Sequence, residues 1–515
     1  MVKIVVPALV LAIAGAGAQP PFQPVFESRA PLASNGKLDD LVFAAWKRAG
    51  VQPAMLCSDA VFLRRVFLDA TGTLPTAQEA AGFLRDRDPK KRAALVDRLL
   101  ERDEFADYWA VKWGDLLRVK AEFPINLWPN AAQAYDRWIR ASLRENKPYD
   151  RMARELLTES GSNFRVPPVN FYRALQSREP RAIAQTVALT FMGTRAEKWP
   201  AGRLDGMAAF FSQIGYKETG EWKEEIVYFD PAKPAPAQAA FPDGAPARLA
   251  PERDPREVFA EWLISPKNPW FARNAVNRVW YWLLGRGIVH EPDDLRPDNP
   301  PSNPELLAYL EAELAAARYD LKHIYRLILN SATYQLSSIA RTSRPEAAAL
   351  FAFYPVRRLD AEVLIDALCQ ATGTSELYSS AIPEPYTFVP DGRRSITLPD
   401  GSIGSAFLEL FGRPPRDTGL EAERINRPAA AQRLHLLNSS HVQRKIEASP
   451  RFQYLMRNAK TPRAFAAGLY LMILSRYPTE DELKAVEANF RAVRREAAVD
   501  LAWALINSTE FVYRH

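Results

Sequence analysis

"NPELLAYLEAEL", Asn303 to Leu314, reads as the start and body of an amphipathic helix. Asn303 is a residue type whose side-chain oxygen accepts from first-turn amides, and Pro304 stands at the first helical position, where a missing N–H costs nothing. Leu306, Leu307, Leu310 and Leu314 recur at helical spacing as one apolar stripe, with Glu311 and Glu313 turned away. The same punctuation recurs along the chain. "TAQE" (Thr76 to Glu79) and "TEDE" (Thr479 to Glu482) are capping boxes. Asp88-Pro89 and Thr461-Pro462 again place a capping residue before Pro, and Leu38, Leu41, Val42 and Ala45 form a stripe that Gly50 ends. These signals predict a mainly α protein. The exception is roughly residues 218–250, where "EEIVYF" has strand-forming residues and runs into "DPAKPAPAQAAFPDGAPA".

That Pro/Ala-rich passage divides the chain. At 515 residues it exceeds what one hydrophobic core usually organises. The expected arrangement is two helical domains, 37–215 and 253–515, joined by a connector, 216–252, with short strands and a little β structure.

The start, "MVKIVVPALVLAIAGAGAQPP", has Lys3, an apolar run from Ile4 to Ala14 and small residues at Ala16 and Ala18. This reads as a signal peptide, 1–18, cleaved after Ala18 and followed by a flexible linker, 19–36. The apolar run is shorter than the ~20 residues that span a bilayer, and no later segment is long and apolar enough. The expectation is therefore an exported chain, periplasmic or extracellular, with no transmembrane segment once mature. Its two cysteines, Cys57 and Cys369, would lie in a compartment that permits a disulfide. A net charge of +6, mostly Arg, suits anionic surfaces or polymers, but there is no basic block and nucleic acid is not an expected partner.

Catalytic motifs are scarce. The sequence has no Cys-x-x-Cys, His-Glu-x-x-His, Gly-x-Ser-x-Gly or phosphate-binding glycine loop, so zinc, esterase and nucleotide readings lack support. "HEPDD" (His290, Glu291, Asp293, Asp294) is an oxygen-rich cluster that could hold a hard cation, or a solvated Pro-bounded loop. His435 and His441 stand six apart, which does not place them on one helical face as a metal pair. "FGRPPRDTGLEAERINRP" (Phe411 to Pro428) crowds Arg413, Arg416, Glu421, Glu423, Arg424 and Arg427, the composition of an ion-pair lattice or an anion site.

Taken together, longer motifs carry a resemblance. "FLRRVFLDATGTLPT" (Phe62 to Thr76), "LVDRLLERDEFADYWAVKWGDLLR" (Leu95 to Arg118) and "VNFYRAL" (Val169 to Leu175) resemble DUF1549, a planctomycete cytochrome-associated domain of unknown function. "FAEWLISPKNPWFARNAVNRVWYWLLGRGIV" (Phe259 to Val289), "DLKHIYRLILNSATYQLSS" (Asp320 to Ser338), "RRLDAEVLIDAL" (Arg357 to Leu368) and "WALINSTEFVYRH" (Trp503 to His515) resemble DUF1553, which follows it in such chains.

The resemblance implies a Cys-x-x-Cys-His segment between a "FLG-R" helix end and a "GLAAFF" helix, and a Cys-Glu-Cys-Glu-Arg element further on. Here "TFMGTRAEKWPAGRLDGMAAFF" (Thr190 to Phe211) keeps both flanks without the thiols, and Leu420 and Ala422 stand where the second element has Cys. Cys-x-x-Cys-His is a c-type haem attachment signature, and paired thiols also hold zinc or iron–sulfur centres. Arg195, Lys198, Trp199, Leu420, Glu421, Ala422, Glu423 and Arg424 are thus expected remnants of a lost ligand site, jointly formed if the two segments meet in space. No catalytic residue, metal ligand or cofactor is expected. The function expected is a non-redox scaffold that binds exported protein partners. The alternative is a periplasmic enzyme, such as a hydrolase acting on exported polymers, that uses the carboxylates and Arg around Asp293, Asp294, Arg413, Arg416, Glu421 and Glu423, with His290 beside Asp293, Asp294, Arg413 and Arg416 as a candidate polar cluster.

Overall fold

A computed structural model describes residues 25–234, 238–250, 252–490 and 494–515, without the side chains of 490, 494 and 495. The expected signal peptide, 1–18, and residues 19–24 of the expected linker lie outside these.

The chain is mainly α with a little β. Helix Lys37–Ala49 buries Leu38, Val42 and Ala45 and stops at Gly50, whose φ of 61° is the left-handed conformation that glycine adopts without strain. Thr76 and Glu79 satisfy each other's backbone amides at the start of Ala77–Arg85, and Thr479 and Glu482 do so before Glu480–Phe490. Asn303 and Thr461 cap Pro304–Ala316 and Pro462–Ile473. Asp88-Pro89 departs from expectation. The Asp88 carboxylate accepts from the Lys90 amide in a turn, and the helix begins later, at Lys91–Leu100.

Strand Glu225–Phe229 pairs antiparallel with Ile214–Glu218, from Ile214↔Phe229 to Glu218↔Glu225, and with Gly161–Ser162 on its other edge. A second ladder joins Arg357–Arg358 to Tyr513–Arg514.

Helix Asp59–Ala70 is buried on every face from Val61 to Ala70, the pattern of a central helix. Around it, one continuous cluster of buried apolar residues runs from Leu38 to Val512 and draws on both halves of the chain. The buried Arg64 donates to the carbonyls of Ile473 (2.7 Å) and Phe511 (3.0 Å). Arg65 donates to those of Tyr334 (2.6 Å), Leu336 (2.9 Å) and His515 (2.9 Å). Each guanidinium replaces the water it lost with backbone oxygens. Among the described residues no helix is long and apolar enough to cross a membrane.

Candidate functional site

Helix Pro180–Met192 ends at Gly193, with φ of 61°. Only glycine fits here: a Cβ would lie 2.5 Å from Asn274 Oδ1 and 2.9 Å from the Pro292 carbonyl oxygen. The Gly193 carbonyl accepts from the Leu295 amide (2.9 Å), and the Thr194 hydroxyl donates to the Leu295 carbonyl (2.9 Å). Arg195 then pairs with Glu291 (3.2 Å). A single turn, Ala196–Lys198, leaves Lys198 exposed and the half-buried Trp199 beneath the Arg203 guanidinium, 4.0 Å from its ring. The chain resumes as Ala201–Ala208, and Phe210 and Phe211 pack on Phe259.

The second expected remnant touches the same loop from the other side. Asp293 accepts from the Glu421 amide (2.7 Å) and from Arg278 (2.8 Å), and both charged side chains are almost fully buried. Trp282 donates its indole N–H to Glu421 (2.9 Å). Gly193–Arg195 and Glu421 therefore hold one loop, 289–295, between them. Burial pushes the Glu421 carboxyl above its usual range, against the pull of Lys112. Leu420 is half-buried and Ala422 exposed. His290 stacks on Tyr281 at 6.3 Å, with its pKa lowered by burial, and Asp294 pairs with Arg296 (3.0 Å).

Of the remaining expected residues, Arg413, Arg416 and Arg424 belong to a buried ion-pair lattice. Arg424 bridges Asp115 (2.5 Å) and Glu362 (2.7 and 3.0 Å). Arg416 holds the other oxygen of Asp115 (2.8 Å), and Arg413 approaches Glu362 at 3.7 Å. Next to them Asp360 meets Lys112 (3.1 Å), Arg514 (3.3 Å) and Asn426 (2.7 Å). Burial alone would raise Glu362, but the Arg424 guanidinium outweighs it and holds the carboxyl down to about 2. Glu423 stands apart, accepting from the amide and hydroxyl of Thr418.

The residues present do not fit the group implied by the family resemblance. Between Gly193 and Gly206 there is no thiol or imidazole, and the facing segment offers Leu420 and Ala422 in place of thiols. Among the described residues no three His, Cys, Asp or Glu side chains converge as a metal site. A cavity of about 200 Å³ lies elsewhere, between Asn35–Asp39 and His323–Ser331, and Asp39 within it is already satisfied by the amides of Asn35, Ala332 and Thr333.

Two groupings were not predicted. His435 and His441 sit on successive helices, Ala430–Asn438 and Ser440–Glu447, and their ring nitrogens meet at 3.3 Å. The signal for this was "NSS", Asn438 to Ser440, a capping sequence inside an apparently continuous helical stretch. Trp128, Trp222 and Tyr386 come from three loops to place their rings 4.7–5.3 Å apart, with Lys223 over Trp128 and Trp222. Trp222 is 56% and Tyr386 43% exposed, and Phe123 and Phe388 on the same loops are exposed as well.

A family model described as a protein of unknown function, DUF1549, matches residues 37–198, and one described as a protein of unknown function, DUF1553, matches residues 255–490. Neither a curated protein nor a solved structure matches the chain.

Proposed function

Because the chain belongs to the proteins that join DUF1549 to DUF1553, we propose that it is an exported, non-redox scaffold that binds protein partners and has lost the haem or metal site of its relatives. The observation that carries this reading is the commitment of the candidate polar groups. Asp293, Arg413, Arg416, Glu421 and Arg424 are each engaged by protein partners. A hydrolytic site needs carboxylates converging on an open cleft, with a proton free to move between them. Here the carboxylates instead hold the loop 289–295 and the lattice around Asp115 in place, so the lost ligand site survives as structural support.

The partner-binding half of the proposal draws on the ring cluster of Trp128, Trp222 and Tyr386. Exposed Trp and Tyr anchor protein interfaces because they bury large area at small entropic cost. Purification from the native envelope, with wild type and with W222S/Y386S as bait, tests the proposal. The expected result is a partner retained by wild type and lost by the variant, with no haem Soret band in the purified chain. An unchanged partner set, or a Soret band, overturns it.

A further inference from the structure

We infer that Arg203, clamped between Trp199 and Trp270, binds the carboxylate of a sugar acid or another small organic acid. Arg203 stands in the first turn of Ala201–Ala208, just after the loop that carries Lys198 and Trp199. Its guanidinium lies 4.0 Å from the centre of the Trp199 ring and 5.8 Å from that of Trp270. The shorter distance is that of a flat stack, in which the cation meets the negative ring face and the N–H edge points outwards in its own plane. Trp270 is fixed in turn by Trp262 at 5.8 Å, and Trp262 stacks on Phe241 at 5.1 Å. The clamp is therefore in place before a ligand arrives.

What the clamp lacks is an acceptor. Among the described residues the half-buried Arg203 guanidinium makes no hydrogen bond and no ion pair; its Nε is buried without a partner, and its two terminal nitrogens are open to solvent. The acids around it are engaged elsewhere. Asp205, on the same helix, pairs with Arg181 (3.1 Å), and Glu291 pairs with Arg195 (3.2 Å). Asp243, whose charge reaches Arg203 and opposes the effect of burial on it, accepts from the Trp262 indole (3.1 Å) and the Ala245 amide (3.0 Å). A guanidinium fork matches a carboxylate with two parallel hydrogen bonds. A carboxylate in the plane of the fork continues the stack between the indole rings, whereas a tetrahedral sulfate sets oxygens above and below that plane, against the ring walls. The rest of the acid then lies along Trp199 and Trp270, apolar surfaces that the C–H face of a sugar or a short carbon chain covers. A negative ligand also suits a chain of net charge +6. The site stands on Arg203 and its rings alone and takes nothing from the scaffold reading.

Saturation-transfer NMR and calorimetry on the full chain at constant ionic strength test it, with D-glucuronate, propionate, inorganic sulfate and D-glucose as probes. The expected result is saturable binding of glucuronate and propionate in roughly the millimolar range, weakened about tenfold or more in R203M and in R203K, which keeps the charge without the fork. Binding should be unchanged in R433M, on the exposed side of Ala430–Asn438. Tighter binding of glucuronate than of propionate assigns the sugar acid, and equal binding assigns the carboxylate alone. Should the Arg203 variants fail to fold, wild type decides: glucuronate should protect the peptide containing Arg203 from phenylglyoxal. Absence of saturable binding, glucose or sulfate bound as tightly as glucuronate, equal affinity in R203M, or modification of Arg203 unaffected by glucuronate overturns the proposal.

Discussion

Replacing Arg424 with methionine removes the centre of the ion-pair lattice while keeping most of the side chain's bulk. Arg424 and Glu362 are 4% and 2% exposed, so water cannot take over the lost contacts. Breaking a buried pair by deleting one partner costs about 3–5 kcal/mol, because the other charge stays buried and uncompensated. The Arg424 guanidinium holds the Glu362 carboxyl down from 4.5 to about 2, which corresponds to about 3 kcal/mol of linkage. Since the folded value is depressed, that stability is present above about pH 4.5 and is lost as pH falls through about 2. Urea unfolding followed by Trp fluorescence should show R424M less stable by about 3–5 kcal/mol at pH 7, and less dependent on pH below about 4.5. In R424M/E362L the loss should fall short of the sum of the single losses by about 2 kcal/mol, the signature of direct coupling. A loss below about 1 kcal/mol in R424M, or additivity within about 0.5 kcal/mol, would refute the reasoning.

Gly193→Ala should destabilise by about 1–3 kcal/mol, since the left-handed backbone and the approach of Asn274 and Pro292 both exclude a methyl group; a melting temperature equal to wild type would contradict this. Arg514→Ala leaves Asp69 and Asp360 short of a partner and should cost about 3–5 kcal/mol by urea unfolding, against about 0.5 kcal/mol for an exposed control such as Arg48→Ala. Both cysteines are free, so a thiol reagent under native conditions should label Cys369 slowly, its thiol pushed up to about 11 by burial, and the fully buried Cys57 only after unfolding. Fast labelling of Cys57 would mean that the region around Asp59–Ala70 opens readily.

The helices were legible where their determinants are local. Thr76 with Glu79, Asn303 with Pro304, and the leucine stripe behind them need only neighbours within a turn or two, and the structure places them as expected. Asp88-Pro89 shows the limit of that reasoning: the same residue types also make a turn, and which one forms depends on where Lys91–Leu100 must pack. The charged run from Phe411 to Pro428 announced a lattice, but its partners did not follow from it. Asp115 lies 301 residues before Arg416, and no local pattern relates the two. His435 and His441 were spaced wrongly for one helix and rightly for two, and the difference turned on the Ser439 cap.

The guanidinium groups on Asp59–Ala70 have a consequence for how the polypeptide is made. Arg64 waits for a carbonyl 409 residues later and another 447 residues later, and Arg65 for one 450 residues later. Until those segments emerge from the ribosome, this early helix cannot close its own environment, and the apolar faces around it stay open to chaperones. Completion of the fold around this helix therefore waits until the segments that carry Ile473, Phe511 and His515 have been made.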